Sequence, residues 1–259
     1  MPVPGDIAYV RVLDEEQVLV ERLEERHRAL TRRTADGRAK TIAANVDTLV
    51  TVTALAQPTP RAMILDQLLA FAELEAIEAL ILLTKPDLVE ASVIERWRDL
   101  YSHLGYRTLV IDPKHGTHVE ELRAALQGCT SLLCGVSGVG KSSIFRALGG
   151  AGAVGELSRR GLGRQTTTTA RLCRLAGGFL IDSPGVAEFG LGAITPRDLA
   201  ALFVEMRLLV QACRFTDCTH LQEPGCAIRE AVARGEIDAS RYTSYRQILR
   251  LDPVHAMVQ

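Results

Sequence analysis

Residues Gly135 to Ser142 read Gly-Val-Ser-Gly-Val-Gly-Lys-Ser and fit the pattern G-x-x-x-x-G-K-[ST]. Such a loop wraps phosphate with backbone N–H groups, so its glycines must allow close approach and an unusual turn. It also dictates its flanks, a strand before and a helix after. The apolar run Leu132 to Cys134 supplies the strand, and Ser142 to Leu148 starts the helix. In this reading Lys141 reaches the β- and γ-phosphates and Ser142 ligates Mg²⁺. Gly135, Val136, Ser137, Gly138, Val139, Gly140 and Ser143 complete the phosphate contacts.

Two further motifs fit the same chemistry. Asp182-Ser183-Pro184-Gly185 lies about 40 residues on, at the end of the expected strand Phe179 to Ile181. Asp182 would hold Mg²⁺ through a water, and the Gly185 N–H would sense the γ-phosphate. Between them, Gly163 to Thr169 carries four consecutive threonines, one of which could ligate Mg²⁺ and order the loop. The third motif, Thr84-Lys85-Pro86-Asp87, resembles the guanine-reading [NT]KxD motif of GTPases. A carboxylate at Asp87 accepts from both guanine N–H groups, and the Lys85 stem can lie along the base. Thr84 keeps a hydroxyl where asparagine is commoner, at an expected cost of about 1 kcal/mol in affinity. This motif ordinarily follows the phosphate loop, yet here it precedes it by about 50 residues. The order suggests a circularly permuted P-loop GTPase domain.

Strands and helices alternate from about Asn45 to Asp182, which predicts a mostly parallel sheet covered by helices on both faces. Arg171 to Leu175 and Phe179 to Ile181 are expected to pair through Gly177-Gly178. Ahead of that domain, Ile7 to Leu13 and Gln17 to Val20 read as strands, and a basic segment runs on to Lys40. The first 40 residues thus hold two or three strands. After Pro196 the pattern is helical. The expected organisation is a short β segment over 1–40, the nucleotide domain over 41–193 and a helical domain over 194–259.

Net charge is −1, so global charge makes no case for nucleic acid. Locally, Arg22 to Lys40 holds seven basic and three acidic residues, which serves a phosphate contact or a solvated face equally well. No apolar stretch approaches the roughly 18 residues that span a bilayer, and the start lacks signal-peptide character. A cytoplasmic monomer with no membrane partner is expected.

Three of the six cysteines, Cys213, Cys218 and Cys226, crowd together with His220. Three thiolates and one imidazole are the ligand set of one structural, tetrahedral Zn²⁺ site. Its work would be folding a piece too small for a large core. Cys129, Cys134 and Cys173 lie in apolar segments and are expected to be buried.

The motif order, Gly163-Arg164-x-Thr-Thr-Thr and Cys-x4-Cys-x-His-x5-Cys resemble the ribosome small-subunit-dependent GTPase family (RsgA, also called YjeQ). So do Ala44-Asn45-Val46-Asp47, Gly105-Tyr106, Glu188-Phe189-Gly190-Leu191 and Glu223-Pro224-Gly225-Cys226. The resemblance implies an N-terminal OB-fold, a permuted GTPase domain and a C-terminal zinc domain. It implies binding to the small ribosomal subunit and its rRNA, and GTP hydrolysis to GDP stimulated by the subunit, late in its maturation. Thr167 is the Mg²⁺-ligating threonine by resemblance. Gln165 stands where the family carries a water-activating histidine, and its amide can orient a water. Asp112-Pro113-Lys114 replaces Ser-Ala-Lys beside the base, and Pro113 has no N–H. The N-terminal segment is too short for a five-stranded OB barrel. An alternative is an rRNA-binding assembly module that holds nucleotide with little turnover. A permuted GTPase of the large subunit is disfavoured by the cysteine cluster.

Overall fold

The computed structural model describes residues 2–14, 17–33, 39–150, 171–182, 191–192 and 194–251. Two antiparallel hairpins come first: β1 (Ala8–Val12) with β2 (Val18–Leu23), then β3 (Ala29–Arg33) with β4 (Ala39–Ala44). The second hairpin goes beyond the two or three strands read from sequence, and its pairing continues past residue 40. It is held by Leu30 and Ala43, which face each other in register and are fully buried in the main core. A few buried apolar residues, with Ala43 and Ala44 adjacent, leave too little period-2 signal to read in a polar, basic run. Among the described residues these strands form two separate two-stranded sheets, not a barrel.

The chain then alternates β5 (Thr48–Ala54), α1 (Ala62–Leu74), β6 (Glu78–Thr84), α2 (Ala91–His103), β7 (Arg107–Ile111), α3 (Val119–Ala125), β8 (Thr130–Cys134) and α4 (Lys141–Ala147). The hairpin β9 (Arg171–Leu175) and β10 (Gly178–Asp182) completes a six-stranded sheet in the order β7-β6-β5-β8-β10-β9. All neighbours are parallel except β9 against β10. Every residue of β5 is buried, as expected of a central strand covered on both faces. Its side chains alternate between two cores. Leu49 joins Ile81, Leu132, Phe71 and Tyr101 beneath α1 and α2, whereas Val50 and Val52 join Leu82, Leu133, Leu122 and Phe145 beneath α3 and α4.

The β9–β10 turn differs by one residue from the sequence reading. Gly178 pairs with Leu175, so Ala176 and Gly177 make the turn and Gly178 already belongs to the strand. Gly178 is needed for another reason: a Cβ there would lie 2.2 Å from the Cys129 carbonyl oxygen. Cys134 and Cys173 are buried as expected, but Cys129 is half-buried, because its strand begins one residue later.

Beyond Ile194 the described residues are helices and turns, with α5 (Pro196–Leu202), α6 (Ala227–Ala233) and α7 (Ala239–Leu251) around a third core. Thr195 caps α5 by accepting from the Asp198 N–H, and Pro196 fits its first turn. This helical unit docks on the sheet domain through α7 against α1. At the junction, the Arg241 guanidinium donates to Asp66 Oδ1 at 2.5 Å and to both Glu205 oxygens at 2.7 and 3.1 Å. Tyr101 donates to the same Asp66 oxygen at 2.9 Å, and Phe203 lies under the guanidinium, 4.6 Å from its carbon. The Arg241 side chain is 2% exposed and that of Asp66 0%. Among the described residues no helix is long and apolar enough to cross a membrane.

Breaking a buried charge network by removing one partner leaves the other charges uncompensated. We expect Arg241→Ala to lower stability by about 3–5 kcal/mol in urea unfolding. A loss below about 1 kcal/mol, the size of an exposed pair, would contradict a central role for the junction.

Candidate nucleotide site and metal cluster

The carboxyl ends of β6, β5 and β8 lie side by side, the edge at which open α/β sheets bind ligands. From β8 the chain enters the Gly135–Ser142 loop. Gly135 has φ 142°, and a Cβ there would sit 2.3 Å from the Val52 carbonyl oxygen, so only glycine fits. Gly140, at φ 105°, precedes α4, which Lys141 opens. The Ser143 N–H donates to the Gly140 carbonyl, while Ser137, Gly138 and Ser142 are exposed. Val139 is buried and Val136 half-buried, which anchors the loop from below.

Lys141 curls over this loop, its ammonium donating to the carbonyls of Gly135 at 2.7 Å and Val136 at 2.8 Å. Burial lowers its pKa, and the Asp182 carboxylate opposes that. Asp182, last in β10, is raised by burial and held down by Lys141 and Arg171. Lysine and carboxylate thus sense each other across the loop. Gln165, Thr167 and Gly185 lie outside the described residues.

The base motif is bonded to the phosphate loop. Thr84 is the last residue of β6, and its buried hydroxyl donates to the Val139 carbonyl at 2.6 Å. Lys85 takes a left-handed turn at φ 58°, and its ammonium donates to the Gly138 carbonyl at 2.8 Å and to the Gln57 carbonyl. The partners in the two loop contacts are 55 and 53 residues apart in sequence. Asp87 follows, exposed, in the 3-10 turn Pro86–Leu88. The role of the Gln57 loop is not legible from sequence, since it acts through a backbone carbonyl.

On the far side of β6, β7 ends at Ile111. Asp112 Oδ1 accepts from the N–H groups of Lys114 at 3.0 Å and His115 at 3.4 Å, and Oδ2 pairs with His115 Nδ1 at 2.6 Å. An Asp and a His three residues apart are too common in loops to have singled out this pair.

The metal ligands expected in the helical unit do come together. One donor atom from each of Cys213, Cys218, His220 and Cys226 lies within 4.8 Å of the others. His220 Nδ1 is 3.5 Å from the sulfurs of both Cys213 and Cys226. That equals the edge of about 3.5 Å between nitrogen and sulfur in a tetrahedron with ordinary zinc bond lengths. Burial holds His220 below its ordinary pKa, leaving the ring neutral as a ligand must be. Burial also pushes the Cys218 thiol up to about 12 and raises Cys226, a cost that a divalent cation reverses. The cluster could therefore hold a metal ion. Glu223 shapes its loop, accepting from the N–H groups of Thr219, Leu221 and Gln222 and from the Thr219 hydroxyl.

The sheet order, with a P-loop pattern between β8 and α4 and a base motif carried in at the end of β6, earlier in the chain, defines a permuted P-loop α/β protein. The chain belongs to the RsgA GTPase family, whose model matches residues 23–192. The small ribosomal subunit biogenesis GTPase RsgA of Pseudomonas aeruginosa is 46% identical over 224 residues, which is 84% of this chain and 66% of that protein. Its namesake in Azotobacter vinelandii is 46% identical over 220 residues, covering 82% and 64%. The chain thus spans about two thirds of the length of these relatives. Among solved structures, YjeQ from Thermotoga maritima is similar with a TM-score of 0.74 and 32% identity, covering 96% of this chain and 83% of that one. YloQ, described as a circularly permuted GTPase, has a TM-score of 0.71 and 27% identity, covering 95% and 79%.

Proposed function

We propose that this chain is a cytoplasmic GTP hydrolase of small ribosomal subunit biogenesis, binding the subunit and its rRNA as a monomer. The observation that carries this is the bonding of Thr84 and Lys85 to Val139 and Gly138, which joins two motifs in inverted order and supports reading them as one nucleotide site. Family membership and the names of the relatives support the substrate and the partner.

In this reading the backbone N–H groups of Gly135 to Ser143 cradle the phosphates, and Lys141 leaves its loop carbonyls for the β- and γ-oxygens. Asp87 accepts from the guanine N–H groups, with Lys85 along the base. Ser142 and Thr167 would ligate Mg²⁺ and Asp182 would hold it through a water. Mg²⁺ would supply charge neutralisation at the leaving and transferred phosphates. Gln165 orients the attacking water and the Gly185 N–H reads the γ-phosphate. Positioning and electrostatics do most of this work, because phosphoryl transfer asks little covalent chemistry of the protein. Cys213, Cys218, His220 and Cys226 would hold one Zn²⁺ with all four positions filled, so that its role is to cross-link the helical unit.

Turnover of GTP and ATP, measured with and without small subunits, tests the assignment. GTP hydrolysis should rise clearly with subunits, ATP should stay at background, and Lys141→Ala should lose the activity. Equal use of both nucleotides would overturn it. For the second site, purified protein should carry about one zinc per chain, and a strong chelator or Cys218→Ser should lower the unfolding midpoint. A metal-free protein of unchanged stability would refute the zinc assignment.

A further inference from the structure

The base side of the proposed nucleotide site has an unusual shortage of donors. β6 and β7 are parallel neighbours with Thr84 opposite Ile111, so the Lys85–Asp87 turn and the loop from Asp112 leave the sheet together. Pro113 has no N–H. The N–H groups of Lys114 and His115 both go to Asp112 Oδ1, and that of Asp112 goes to the Thr117 carbonyl. From Asp112 to His115 no backbone donor is left for a ligand.

A side chain is available instead. His115 is 70% exposed on its side chain, while its Nδ1 is fixed 2.6 Å from Asp112 Oδ2. An ionised carboxylate only accepts, so Nδ1 carries the hydrogen in that contact. Nε2 then points away from Asp112 and bears a hydrogen only when the ring is protonated. We propose that His115, pinned by Asp112, is a specificity-determining residue of the base subsite, its Nε2 donating to the 6-carbonyl of a bound purine. The inference rests on the reading of Asp87 as the guanine acceptor. In it, Asp87 takes the donors on one edge of the base while His115 supplies a donor for the oxygen beside them. Adenine, with an amino group at that position, offers no acceptor to protonated His115.

The charged groups around the ring are Asp112 and Lys114 on its own loop and Asp87 from the turn after β6. Hydrogen bonding and charge from Asp112, then charge from Asp87, raise the His115 pKa above its ordinary 6.5, and Lys114 opposes them. The donor is therefore present at low pH and is lost as pH rises through that raised value.

Equilibrium binding of GDP, inosine diphosphate, ADP and 2-aminopurine riboside diphosphate, measured from about pH 5 to 8, tests this. GDP and inosine diphosphate share the 6-carbonyl, and 2-aminopurine lacks it. Affinity for the first two should fall about tenfold with rising pH, the worth of one charged hydrogen bond, and 2-aminopurine binding should not follow. His115→Ala should bind GDP weakly at every pH. His115→Arg, a permanent cation, should bind it without that pH dependence. Guanine-selective GDP binding with the same pH profile in wild type and His115→Ala would overturn this inference alone. An equal pH slope for 2-aminopurine would show charge without a 6-carbonyl contact and also overturn it. Absence of GDP binding at any pH would overturn the nucleotide assignment itself.

Discussion

The Thr84 hydroxyl on the Val139 carbonyl is the contact on which the site depends. It is buried, so an unpaired carbonyl there would cost about 1–3 kcal/mol. It also fixes a distance that sequence order leaves open. In the usual order the base motif trails the phosphate loop through several strands. Here it arrives first, and β5 separates the two strands that deliver it and the loop. Thr84 and Lys85 reach across the end of β5, one to each of two successive loop carbonyls, and hold the two motifs at one spacing.

The same region is continuous with the helical unit. The Gln57 carbonyl that binds Lys85 belongs to the segment leading into α1. Arg61, Ile64 and Leu65, at the start of that helix, line a small cavity with Gly135, Val136 and Val139. One residue further, Asp66 meets Arg241 of α7. A single helix thus shares a cavity with the Gly135–Ser142 loop through its first turn and meets a buried charge network at Asp66. Arg207 to Glu73 adds a more exposed tie near the helix end. Interior packing transmits displacement because it is dense, so α1 is a physical connection between the candidate nucleotide site and the unit that carries the Cys213–Cys226 cluster.

Much of this was legible in the sequence, for identifiable reasons. The phosphate loop demands a strand, a tight glycine turn and a helix in fixed order, so its pattern carries its own context. The candidate metal ligands crowd into a short span, so a compact fold of that span readily brings them together. The parallel sheet showed itself in short apolar runs such as Ala79 to Leu83. The β3–β4 hairpin was hidden because its fully buried described residues, Leu30, Ala43 and Ala44, are few, and two of them are adjacent in sequence, which breaks strand alternation. Arg241 gave no signal at all: an arginine in a polar helix reads as solvated until α1 brings Asp66 against it. The Asp112–His115 pair was equally silent, since its meaning comes from hydrogen bonds that use up the neighbouring backbone donors.

The central claim is that Thr84 to Asp87 and Gly135 to Ser142 form one site. A crystal structure of the GDP complex measures this directly. The expected result has the guanine N–H groups on the Asp87 carboxylate, the β-phosphate within the Gly135–Ser142 loop, and the Thr84 hydroxyl still on the Val139 carbonyl. A base bound away from Asp87, with phosphates alone in the loop, would contradict it.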